Sequence, residues 1–252
     1  MLKLIIRIKD YIINQRGNII KILYLEILKV LNVFLLFIKI KNISNNCNIT
    51  NLVDFVISQK KIVKTQQISS ELVSLLQKVK RLQPKYILEI GTLNGGTLFL
   101  FSRVSRKDAI LISIDMPKGK IGSPNSKWRI YSDWRVPLIK RISLPSQKTI
   151  LIRANSHEAS TLYHLRKILN GEKLDFLFID ADHSYKGVKK DFEMYNPLVK
   201  NSGLIGFHDI VPLGYNSNDV HKFWEEIKYN FDFDEFIDDR NQSTGGIGVI
   251  KK

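Results

Sequence analysis

Five short apolar runs, each followed by a turn or an acidic residue, constrain this chain more than any other feature. They are Tyr86–Ile90, Ala109–Ile114, Thr149–Ile152, Leu174–Ile179 and Gly203–Phe207. Segments of helical periodicity surround them: Gln67–Leu82 (stopped by Pro84), Gly95–Val104, His157–Leu169, Lys186–Leu198 and Val220–Tyr229. Short runs without polar alternation suit strands buried on both faces, and alternation with helices builds a parallel sheet. Two late strands, Phe231–Ile237 and Ile247–Ile250, have only a loop through Gly245 and Gly246 between them, so they are expected to form an antiparallel hairpin at one edge. The fold class is therefore α/β, a mostly parallel seven-stranded sheet, over residues 65–252.

Residues 1–64 differ in kind. They hold eleven Lys and Arg against Asp10, Glu26 and Asp54, so +8 of the chain's +15 lies there. Residues 19–40 are apolar, but the longest uncharged stretch, Val30–Ile38, is far short of the roughly 20 residues that span a bilayer. Glu26 and Lys29 would each cost about 2.5–3.5 kcal/mol near its centre. Lys21, Glu26, Lys29, Asn32 and Lys39 share one arc at helical spacing, so the segment reads as an amphipathic helix with a wide apolar face. It either packs on its own domain, packs on a second subunit in a homo-oligomer, or lies on a membrane surface through residues 1–41. The polar stretch 42–51 reads as a linker, and no small-residue cleavage site marks a signal peptide. A single cysteine, Cys47, excludes an internal disulfide and a cysteine-cluster zinc site and fits the cytoplasm, peripherally at the inner face of the membrane if the extension binds there.

In sheets of this kind ligands sit outside the carboxyl ends of the strands, so the residues after each run matter most. The first run leads into Glu89-Ile-Gly91-Thr-Leu-Asn-Gly95-Gly96-Thr97, a turn that lets backbone approach a ligand. Leu93 occupies the middle glycine position of G-x-G-x-x-G, which disfavours a dinucleotide, and Glu89 suits a cationic ligand. Asp115 ends the second strand, as a ribose acceptor or as a turn residue. Asn155 and Ser156 follow the third; they either line an adenine pocket or, for Ser156, cap the helix at His157. The fourth and fifth strands end in Asp180-Ala-Asp182-His183 and His208-Asp209. Acids directly after apolar strands are costly to bury unpaired, and a divalent cation with mainly oxygen ligands would satisfy them together. Singly, Asp180 as a helix cap and His208 as a core residue remain alternatives.

The Glu-x-Gly-x-x-x-Gly-Gly turn, the acid after the second strand and the closing hairpin resemble a class I S-adenosylmethionine-dependent methyltransferase with its Rossmann-like fold. More narrowly, IDADHSYKGVKKDF with GLIGFHDIVP is similar to the cephalosporin hydroxylase and sugar O-methyltransferase family, over about residues 84–250. The resemblance implies that Glu89, Gly91 and Gly95 hold the methionine part of the cofactor, Asp115 the ribose, and Asn155 and Ser156 the adenine, with Asp180 nearby. It implies a divalent ion on Asp180, His208 and Asp209. His208 departs from the acidic pair usual there; imidazole shifts the preference from magnesium towards manganese, iron or zinc, or His208 stands beside the ion. His183 takes the place of the general base, with Asp182 the alternative. The implied activity is O-methylation of a hydroxyl on a saccharide, glycoconjugate or related small molecule.

The long stretch 116–147 carries Lys127, Trp128, Arg129, Tyr131, Trp134 and Arg135, suited to a sugar face and an anionic group, or to a lid packing its aromatics inward. Apart from residues 127–135 no basic stripe interleaves with aromatics, so nucleic acid is not an expected partner. Two other function classes compete. A non-haem iron oxygenase would use His183, His208 and Asp209, and a non-catalytic binding protein would use the basic extension as a tether.

Overall fold

A computed structural model describes residues 47–59, 63–116, 136–212 and 219–252, with scattered helical positions between 24 and 40. Residues 1–44 and 45–252 form two compact units. The second therefore begins earlier than the residue-65 boundary expected from composition. Asn48, read as linker, caps a helix instead: its side chain accepts from Thr50 N, and α1 runs Ile49–Ile57 with Leu52, Val53 and Val56 buried. In the first unit Leu25, Ile27, Phe34, Leu35 and Ile38 are exposed and Ile40 is buried. Among the described residues no helix is long and apolar enough to cross a membrane.

The body follows the expected alternation. After α2 (Ser69–Leu82) come β1 (Tyr86–Ile90), α3 (Gly96–Val104), β2 (Ile110–Ile114), a helical turn α4 (Val136–Ile139), β3 (Lys148–Ile152), α5 (Ala159–Leu169) and β4 (Leu174–Ile179). Then come α6 (Tyr185–Tyr195), β5 (Val199–His208), α7 (Val220–Ile227), β6 (Asp232–Phe236) and β7 (Ile247–Lys251). The seven strands lie in the order β3-β2-β1-β4-β5-β7-β6. β1 to β5 pair in parallel, while β7 runs antiparallel between β5 and β6. That is the expected edge hairpin, with the later strand on the inside. The order reverses direction at β1, so the crevice between β1 and its neighbours is the place where such a sheet takes a ligand.

Strand alternation sends Leu88, Ile90, Ile112, Ile114, Leu177 and Ile179 to one face, where they pack with Leu165, Val188 and Tyr195. On the other, Phe176 and Phe178 meet Phe101 of α3 edge to face at 5.1 and 5.4 Å. Both layers are needed because the central strands β1, β2 and β4 are apolar on both faces apart from a few positions such as Glu89 and Ser113.

Three boundaries moved for local reasons. α5 starts at Ala159 rather than His157, because Asn155 forms its own turn: its Oδ1 accepts from His157 N at 3.0 Å and its carbonyl from Thr161 Oγ1 at 2.7 Å. Ser156 is therefore not the cap. α6 stops at Tyr195 because Pro197 cannot continue it, and a 3₁₀ turn follows over Asn196–Leu198. β5 begins at Val199, four polar or glycine positions before its apolar run, where a register shift in β4 lets Val199 pair with Leu174.

Candidate active site

Glu89 faces α3 from the middle of β1, beside Ser113 of β2. It is fully buried; Oε1 accepts from Thr97 Oγ1 of α3, while Oε2 has no hydrogen-bond partner. Burial, which Thr97 and Thr92 only partly offset, pushes its carboxyl up to about 8. A second hydroxyl pair, Thr92 with Ser113, closes the polar seam beneath the turn.

The turn itself is set by backbone constraints. Gly91 has φ +88°, and a Cβ there would lie 1.9 Å from the Asp180 carbonyl oxygen, so the end of β1 touches the end of β4. Leu93, where a dinucleotide fold would have glycine, takes φ 48°. That conformation costs a non-glycine residue of order 1–3 kcal/mol, and it is held by Asp115. Asp115 Oδ2 accepts from Thr92 N at 2.9 Å and Leu93 N at 3.0 Å. Burial raises this carboxyl to about 6. Gly95 caps α3 with φ +76°. Gly96 serves a different end, for its Cβ would meet the Lys64 and Thr65 backbone at 2.5–2.7 Å. Residues 63–67 thus cross the turn, with Val63 N donating to Asn94 O at 2.9 Å.

Beyond β4 and β5 the acids and histidines converge. Asp180 Oδ1 lies 3.4 Å from His183 Nε2 and 3.3 Å from His208 Nδ1. Asp209 approaches His183 Nδ1 at 3.2 Å and His208 Nδ1 at 3.5 Å. Asp209 reaches inward because its backbone turns left-handed at the end of β5, φ 64°, a conformation aspartate tolerates. Burial alone would raise Asp180, but His208 and His183 outweigh it and hold the carboxyl well below the usual range. Burial would likewise lower both imidazoles, yet Asp180 and Asp209 keep each above its ordinary value, His208 strongly so.

The donor set fits a divalent cation. Asp180, His183 and Asp209 offer ligand atoms within 4.8 Å of one another, one nitrogen and two carboxylates. His208, expected as a ligand, stands beside this set with neither ring nitrogen in an aligned hydrogen bond. Asp182 is not brought in: it is exposed, accepts from Ser184 N at 3.0 Å, and its carboxyl carbon fills the place a Cβ of Gly187 would take. Asn155 and Ser156 sit together at the end of β3, Asn155 exposed. Residues 127–135, with their aromatics and arginines, lie outside the described residues.

Sequence reasoning missed Gln67 and Glu71. Gln67 Nε2 donates to Asp180 Oδ2 at 2.5 Å across the crevice. Glu71 of α2, buried to 1% exposure, takes Gly246 N on both carboxylate oxygens at 3.0 Å. Gly246 O in turn accepts from Ile210 N at 3.3 Å, which anchors the turn carrying Asp209. Neither contact has a local signal; each joins positions more than a hundred residues apart.

A methyltransferase-domain family model matches residues 88–210, from within β1 to just past β5. An uncharacterized protein of Acanthamoeba polyphaga mimivirus is 32% identical over 127 residues, 48% of this chain and 50% of that protein, so the match spans half the relative's length. Among solved structures, the Bacillus cereus O-methyltransferase in complex with SAH is 18% identical with a TM-score of 0.53, covering 80% of this chain and 91% of that one. A candidate caffeoyl-CoA O-methyltransferase of Staphylococcus aureus is 20% identical with a TM-score of 0.51, covering 88% and 100%. At those identities the structures speak to the fold alone. Fold and family model coincide: the residues matched by the methyltransferase-domain model, 88–210, are those of the sheet from β1 to just past β5, whose fold the solved O-methyltransferase structures share.

Proposed function

We propose that this protein is an S-adenosylmethionine-dependent O-methyltransferase, assisted by a divalent cation, acting on a hydroxyl of a saccharide, glycoconjugate or related small molecule. One observation carries the reading: the Gly91 turn lies against the Asp180 backbone, so a cofactor held at the turn and an ion held by Asp180, His183 and Asp209 share one crevice. The buried, half-unpartnered Glu89 favours a cation above it, as the ammonium and sulfonium of that cofactor provide. The B. cereus neighbour is a complex with SAH, the demethylated product of that cofactor.

A divalent ion, when bound, lowers the pKa of a coordinated hydroxyl and orients it. The chain's own residues supply the rest. Asp115 commits Oδ2 to the turn amides, which orients its carboxylate to receive ribose hydroxyls. Gln67 fixes the Asp180 carboxylate so that Oδ1 faces the histidines. His183 is the more exposed of the two imidazoles, with a side chain 23% accessible against 9% for His208. It is the group placed to take the hydroxyl proton or to complete the ion's ligand set.

Calorimetric titration of S-adenosylmethionine into metal-stripped protein, repeated with manganese or magnesium, tests this. Micromolar binding is expected without metal. No binding in either state would overturn the cofactor assignment.

The extension is proposed to contact an anionic membrane surface or a second copy of the chain. Ile27, Phe34, Leu35 and Ile38 share one helical arc and are exposed, and Lys3, Arg7, Lys9 and Lys41 flank the segment. Sedimentation with phosphatidylserine vesicles should carry the full chain down at low salt and release it near 0.5 M salt, since roughly 3–10 Å screening lengths apply over that range. A chain that stays in the supernatant on anionic vesicles and elutes as a dimer supports the second contact instead.

A further inference from the structure

Both carboxylate oxygens of Asp191 are buried without an aligned hydrogen bond. It sits on α6, wholly inaccessible. Among the described residues its charged partner within ion-pair distance is His157, whose Nε2 lies 3.4 Å from Asp191 Oδ1 and 3.2 Å from the Gly187 carbonyl. His157 belongs to the turn after β3, directly following Asn155 and Ser156. A second tie runs in parallel: Tyr195, one turn further along α6, donates its hydroxyl to Ser156 O at 2.6 Å. A buried charge that loses its partner is strongly destabilising, so the His157 contact is what compensates this carboxylate.

We infer that His157, Asp191 and Tyr195 form a latch that clamps the turn after β3 onto α6 and thereby holds Asn155 and Ser156 as the adenine end of the cofactor crevice. This rests on the S-adenosylmethionine reading above. His157 is a positioning residue: it touches neither the reacting atoms nor the metal cluster, and it acts through the turn it anchors. The latch explains why an unsatisfied acid is kept in the middle of an otherwise amphipathic helix, where leucine would pack at less cost.

The latch also has a sign with pH. The groups facing His157 are Asp191 and Lys190 of α6 and Asp182 in the turn before it. The contact with Asp191 outweighs burial and raises His157 above its ordinary 6.5. A raised histidine contributes its full clamping below that ordinary value and loses it as pH climbs through the folded value. Tyr195 stays a donor throughout, because burial and the Asp191 charge raise its phenol.

Calorimetry with S-adenosylmethionine on the full chain, unaltered and as His157→Gln, Asp191→Asn and the double variant, tests the latch between about pH 6 and 9. At the acid end His157→Gln should bind about tenfold more weakly, and the neutral double variant should recover most of that loss, as expected of two groups acting as one unit. The unaltered protein should lose affinity towards alkaline pH by a component that the double variant lacks. Thermal melts run alongside. Lower melting temperatures with unchanged affinity in both single variants would overturn the latch while leaving the methyltransferase reading intact. Failure of the unaltered protein to bind would overturn both, and the pH comparison needs only the unaltered and double forms if a single variant does not fold.

Discussion

Gly91→Ala is expected to abolish cofactor binding and to destabilise the domain by more than about 3 kcal/mol, the upper end of ordinary overpacking. Two effects add. The new methyl would sit 1.9 Å from the Asp180 carbonyl oxygen, which is backbone and cannot swing aside. The φ of +88° is also one that alanine adopts only with strain. Relief requires β1 and β4 to part at their carboxyl ends, where cofactor and cation are proposed to meet. Chemical denaturation and an S-adenosylmethionine titration check both halves. A variant that melts with the parent and binds normally would show that the turn does not approach Asp180 as described. Gly171→Ala serves as the contrast, since that glycine has a similar φ of +87° but nothing within 4 Å of its added methyl. It should cost only the conformational part, about 1 kcal/mol.

His183→Ala is expected to lower product formation by about 10²–10⁴-fold, the usual contribution of a positioned acid or base, while cofactor affinity stays within about threefold. The assay is release of S-adenosylhomocysteine across a panel of hydroxyl acceptors. Metal content, measured on the same samples, separates the two parts His183 can play. Loss of bound manganese together with activity makes it a ligand of Asp180 and Asp209; retention of the metal makes it the proton acceptor. Lost cofactor binding would instead show that its role has been misassigned. Neutralising His208 gives a different pattern. Its imidazole holds Asp180 and Asp209 apart in charge, so His208→Ala should first change the metal affinity.

Most of the sheet could be read in advance because buried parallel strands need uninterrupted apolar runs, and the chain supplies five of them, three ending directly in Gly91, Asp115 or Asp180. The site was legible for the same reason: Asp115, Asp180 and Asp209 stand one residue past their strands. What escaped was set by contacts remote in sequence or by polar residues in unusual service. Gln67 reads as a loop residue until the fold carries it to Asp180. Asn48 and Asn155, in stretches that look like linker or helix start, organise a cap and a turn through their side chains. Glu71 occupies a helix position that periodicity leaves neutral, yet it receives the loop between β6 and β7. Asp191 gives no local sign at all, because a charge within Lys189-Lys190-Asp191 reads as solvated helix surface. The distances within the cluster were also beyond sequence, since strand ends place His183 and His208 but only the fold brings both imidazoles to within 3.2–3.5 Å of Asp180 and Asp209.

The strand that separates β5 from β6 comes later in the chain than either of them. During synthesis, therefore, the sheet cannot be completed in the order in which it is made. Until residues 247–251 have emerged, β5 presents an open edge and β6 has no partner. The Asp209 turn also lacks its support over that interval, because Ile210 and Val211 donate to the carbonyls of Gly246 and Gly245. A nascent chain halted in this interval would display an apolar strand edge of the kind that recruits other chains. Chaperone capture on the ribosome should accordingly peak between the emergence of residue 208 and that of residue 251, and the Asp209 end of the crevice would be the last part to assemble.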